Sequence, residues 1–129
     1  MKEDQHRNLL WALRDRLPLD GITPTHVVNS DHFPDPPLID GHQPDLIAES
    51  RAGTMVIGTA KEIPDLGSDL SAAEFRAFAS YRDPKSDELA ALVVVVRKEH
   101  REDAEKAIEK AGVGPDRCSI LAVGFPDSE

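Results

Sequence analysis

Leucines at 9, 10, 13 and 17 recur at intervals of three and four, so they line one side of a helix from residue 3 to about 17, with Trp11 on its flank. Pro18 and Gly21 end that helix. The pattern then shortens. Thr25 to Asn29 predicts a first strand, and the proline-rich DHFPDPP stretch at 31 to 37 a loop. Two β-type segments follow, Asp45 to Glu49 and Thr54 to Lys61, joined by the turn residues Ser50-Arg51-Ala52-Gly53, which predicts an antiparallel hairpin over about 44–61.

Beyond the hairpin the period lengthens again. Ser71-Ala72-Ala73-Glu74 reads as a capping box opening a helix over 72–82, with Leu70 stapled onto Phe75 and with Phe78 and Ala79 on the buried face. Leu89 to Val96 is continuously apolar and rich in valine, the pattern of a central strand covered on both faces. Arg101 to Ala111 turns Ala104, Ala107, Ile108 and Ala111 inward and stops at Gly112, and Ser119 to Val123 supplies a last strand. The order is therefore α-β-β-β-α-β-α-β. Helices alternating with strands in the second half imply parallel pairing. The expected fold is a single three-layer α/β domain spanning 1–129, with a mixed sheet, an antiparallel hairpin and helices on both faces.

Composition agrees with one self-sufficient domain. The chain has 129 residues, 40% of them hydrophobic, enough to bury a core without disulfides or a structural metal. Cys118 is the only cysteine, which excludes an internal disulfide and a cysteine-based zinc site and fits a reducing, cytoplasmic compartment. Met1 to Arg7 is too polar to open a secretory signal, and the Leu89–Val96 run is too short to cross a bilayer, so no membrane association is expected. A net charge of −9 repels nucleic acid at long range and argues against a DNA-coating role, while leaving room for a small basic footprint.

The candidate chemistry lies in the hairpin. With the turn centred near Ala52, residues whose numbers sum to about 104 face one another, pairing Asp45 with Thr59, Ile47 with Ile57 and Glu49 with Met55. Asp45, Thr59 and Lys61 then project from one face, at one end of the hairpin. Glu49 shares that face but lies roughly 13 Å along the strand from Asp45, and Glu62 is expected on the opposite face. A carboxylate and a lysine so placed suit phosphodiester hydrolysis: the acid holds Mg²⁺, and the lysine orients the nucleophile or stabilises developing charge.

Gly41-His42-Gln43-Pro44-Asp45-Leu46 followed by Ile57-Gly58-Thr59-Ala60-Lys61 resembles the core motif of the restriction-endonuclease-like, PD-(D/E)xK nuclease superfamily, and the element order over about 3–123 is similar to that family's core. The resemblance implies Mg²⁺ or Mn²⁺ as cofactor and nucleic acid as substrate. It assigns metal ligation to Asp45 and the Ala60 carbonyl, and assistance to the attacking water to Lys61. The sequence departs from the pattern at Thr59, where the family has Asp or Glu, so another acid must move in or the site is inactive. Asp40 and His42, just before the strand, and Glu3 or Asp4 on the first helix are the candidates. The family's helical Gln-x-x-x-Tyr signature is also missing, since Ala77 stands four residues before Tyr81.

Plainer readings stand beside these. Pro-Asp occurs five times in the chain, so only its place in the hairpin is informative. Lys61 reads equally as a solvated strand-end charge, and Asp45 as a loop cap. His26, His32 and His42 lie in separate segments without zinc-motif spacing. Arg97 to Arg101 reads as a solvated basic junction, and Cys118 as a core residue. Three functions follow: a metal-dependent nucleic-acid phosphodiesterase with an impaired or rearranged site, an inactive binding or scaffolding module of the same fold that pairs with a partner protein or a second copy, and an α/β domain holding a small ligand.

Overall fold

The structure is a computed structural model that describes residues 2–124, except for the side chains of 2–5, 63 and 64. Its elements run α1 (Lys2–Arg16), β1 (Ile22–Val27), β2 (Leu46–Ser50), β3 (Met55–Ala60), α2 (Ile63–Leu66), α3 (Asp69–Ala79), β4 (Ala91–Arg97), α4 (Arg101–Lys110) and β5 (Cys118–Val123), with short 3₁₀ turns after α1 and before α4. The five strands form one mixed sheet in the order β1-β2-β3-β4-β5. The pairs β1/β2 and β2/β3 are antiparallel, and β3/β4 and β4/β5 are parallel. This is the expected α/β architecture and element order. No helix among the described residues is long and apolar enough to cross a membrane.

Two apolar layers sandwich the sheet. On one face, Leu9, Leu10, Leu13 and Leu17 of α1 pack on Leu46, Ala48, Val56, Ala60 and Val95. On the other, Phe75 and Phe78 of α3 and Ala104, Ala107 and Ile108 of α4 pack on Ile57, Leu92, Val94 and Val96. Alternating residues of β4 thus enter both layers, which is why its sequence is an unbroken valine run. Close approach of α1 depends on Gly58. A Cβ there would lie 2.6 Å from Leu13 Cδ2, so only glycine lets the helix settle on β3.

Local chemistry moves some boundaries. The first strand begins three residues earlier than expected and is bulged between Pro24 and His26, where the Thr25 hydroxyl donates to the Ile47 carbonyl at 3.1 Å. Pro24 is tolerated because β1 is a sheet edge. The expected capping box is corrected as well. Ser68, not Ser71, caps α3 and accepts from the Ser71 amide at 3.1 Å, so the helix starts almost a turn early. Leu70 consequently stays 62% exposed rather than stapling onto Phe75, and Glu74 is released from the first turn.

Candidate active site

The hairpin register is the one the sequence implies: Ile47 opposes Ile57, and Glu49 opposes Met55. One step beyond the strand, the Asp45 amide donates to the Gly58 carbonyl at 3.1 Å, and its own carbonyl accepts from Val28 at 2.9 Å. The Asp45 backbone is therefore held from both sides, and its side chain has a fixed origin.

Asp45 Oδ2 collects three donors. The Thr59 hydroxyl reaches it at 3.1 Å, the Ala60 amide at 2.8 Å, and His6 Nε2 of α1 lies 3.3 Å away. Thr59 is buried, and its hydroxyl donates to this carboxylate. Oδ1 carries no hydrogen bond among the described residues. The hydrogen bond to Asp45 raises the pKa of His6 above its ordinary 6.5; burial and the Lys61 charge act against that rise, and the Asp45 and Glu62 charges add to it.

Lys61 continues the β3 ladder, its amide donating to the Val95 carbonyl at 3.1 Å. Its ammonium forms an ion pair with Glu74 of α3, and the two side chains are only 12% and 16% exposed. Glu74 sits three residues after buried Ser71 and four before buried Phe78, so the α3 face that packs on the sheet carries it to the end of β3. A carboxylate from another element thus stands beside the lysine whose expected companion at position 59 is absent.

The other candidates make different contacts. Asp40 and Gly41 have φ of 53° and 82° and occupy the tip of a tight turn in which Ile39 and His42 exchange backbone hydrogen bonds at 2.7 and 2.9 Å. Asp40 is exposed there and supplies turn geometry, and the His42 ring meets Phe78 edge-on at 6.5 Å. His26 bonds the Thr25 hydroxyl at 2.8 Å, and His32 is exposed. The side chains of Glu3 and Asp4 lie outside the described residues. Glu62 is buried on the α1 side, as strand alternation requires. Burial pushes the Cys118 thiol up to about 12, which disfavours the thiolate form at neutral pH.

Sequence reasoning missed His6 and Glu74. Both signals were present: His6 precedes Leu9, Leu10 and Leu13 by three, four and seven residues, which sets it on the buried stripe of α1, and Glu74 obeys the same rule with Phe78.

Among the described residues no three His, Cys, Asp or Glu side chains stand close enough together to hold a metal ion. The carboxylates of Asp45 and Glu74 and the Ala60 carbonyl are hard oxygen donors, the type that Mg²⁺ or Mn²⁺ takes with waters completing the shell. Set against protein-family models, curated proteins and solved structures, the chain matches none.

Proposed function

We propose that this chain is a divalent-metal-dependent nucleic-acid phosphodiesterase with a rearranged site, in which Glu74 supplies the carboxylate that Thr59 lacks. The observation carrying this reading is the Lys61–Glu74 pair at the end of β3, next in sequence to the Ala60 amide that binds Asp45. The helix–strand–strand–strand–helix–strand order around the hairpin also agrees with what the nuclease resemblance leads one to expect.

Asp45 Oδ1, Glu74 and the Ala60 carbonyl are the groups that would hold Mg²⁺ or Mn²⁺. When bound, the ion would acidify water and neutralise charge on a phosphoryl group. The Thr59 hydroxyl and Ala60 amide fix Asp45 by occupying Oδ2 and leave Oδ1 without a hydrogen bond among the described residues. Lys61 puts a positive charge where phosphoryl charge develops. Until an ion enters, its ammonium is the counter-charge for Glu74.

Single-stranded, duplex and branched DNA and RNA incubated with Mg²⁺ or Mn²⁺ should be cleaved by the wild type and spared by Asp45→Ala and Lys61→Ala. Absence of cleavage, or cleavage unchanged in both variants, would refute the proposal.

A second reading is a non-catalytic binding or scaffolding module of this architecture, engaging a partner protein or a second copy. One feature favours it: with three donors on Asp45 Oδ2 and Glu74 on Lys61, the charges of the site are internally matched. A folded chain that is inactive on every substrate would support it.

A further inference from the structure

A concavity lies on the α1 face, between the helix, the segment after β1 and the β3–α2 junction. Its volume is about 750 Å³, and its walls include Glu62, Asp65, Asp31, Arg7, Trp11 and His6. Glu62 decides its chemistry. The residue is 7% exposed, and its Oε1 is buried without a hydrogen-bond partner among the described residues. Leaving a carboxylate oxygen so placed costs free energy, and a ligand that brings a donor removes the cost.

The donor's charge follows from its surroundings. Three carboxylates face the concavity against the Arg7 guanidinium and the His6 ring, and His6 is already paired with Asp45, on a chain of net charge −9. The Trp11 ring already attracts cations, with the Arg7 and Arg14 guanidinium carbons 5.9 and 5.8 Å from its centroid. A phosphate would be repelled here. A lone metal ion would find one buried carboxylate in a space many times its size. A neutral base could donate to Glu62 but would gain nothing from the excess negative charge.

We propose that this cavity binds a small organic cation, an ammonium or guanidinium group on a short carbon chain, with the charged nitrogen on Glu62 and the chain against Leu10 and Val28. His6 lines this cavity and also touches Asp45, so the two sites adjoin, but cation binding at Glu62 uses none of the groups named above as metal-holding.

Trp11 is the only tryptophan in the chain, so its fluorescence reports the cavity directly. Titration of the full chain with agmatine and with spermidine should shift Trp11 emission saturably, and Glu62→Gln should weaken binding at least about tenfold. Guanosine, inorganic phosphate and Mg²⁺ should leave the emission unchanged or act only at far higher concentration. Should Glu62→Gln fail to fold, the paired exposed substitutions Asp31→Asn and Asp65→Asn must weaken cation binding several-fold. The proposal is overturned if neither cation binds, if guanosine binds as well as agmatine, or if binding in the folded acidic-wall variants equals that of the wild type.

Discussion

Lys61 and Glu74, thirteen residues apart, meet as a largely buried ion pair that ties the end of β3 to α3. Removing one member leaves the other charge poorly solvated. Lys61→Met should therefore lower stability by about 1–3 kcal/mol in denaturant unfolding, and the double variant Lys61→Met/Glu74→Leu should recover much of the loss. Equal stability of the single variant and the wild type would show that the pair is solvent-screened.

Thr59 makes a similar test on the other side of the carboxylate. Thr59→Val keeps the shape and deletes the donor to Asp45 Oδ2 at 3.1 Å. Chemical denaturation should show a loss of about 1–2 kcal/mol. Thr59→Glu should cost more in metal-free buffer, because it sets a second carboxylate against the first, and part of the loss should return on adding Mn²⁺.

Gly58 carries the contact between α1 and the sheet. An added methyl meets Leu13 Cδ2 at 2.6 Å, so Gly58→Ala should destabilise by about 1–3 kcal/mol. Trimming the obstacle in Gly58→Ala/Leu13→Val should cost less than the sum of the two single changes, which would show up as coupling in a double-mutant cycle.

The raised pKa of His6 gives stability a pH dependence of definite sign. A histidine that binds its proton more tightly when folded stabilises fully below the unfolded value of 6.5, and the contribution disappears as pH rises through the folded pKa. Wild type minus His6→Gln, measured by urea unfolding with chelator present, should be largest below the unfolded pKa of 6.5 and fall as pH rises through the higher folded pKa. The side chain is 39% exposed, so screening keeps the change below about 1 kcal/mol. A difference that grows with pH would reverse the assignment.

Much of this fold was legible because its strongest signals are local. The α1 leucine stripe, the valine run of β4 and the turn at Ala52 each imply one arrangement, and the turn position alone fixed the pairing of Ile47 with Ile57. The cap of α3 was misread because Ser68 and Ser71 are both good caps with similar contexts, and the choice between them depends on where the chain leaves α2. That single turn decides where Glu74 sits. With Ser71 as cap, Glu74 would be spent at the third helical position, whereas with Ser68 as cap it reaches Lys61. Asp40 was misplaced for a different reason: Asp-Gly is a strong signal for a tight turn, and proximity in sequence to Asp45 outweighed it. The convergence of His6 and Glu74 on the hairpin end is tertiary and depends on both helices docking.

Binding of Mn²⁺ to the wild type, Glu74→Gln and a remote control, Glu49→Gln, followed by electron paramagnetic resonance, tests most directly whether Glu74 replaces the acid missing at Thr59. The wild type and Glu49→Gln should bind one ion per chain with similar affinity, and Glu74→Gln should bind at least about tenfold more weakly. Absence of binding to the wild type, or equal affinity in a folded Glu74→Gln, would contradict the assignment.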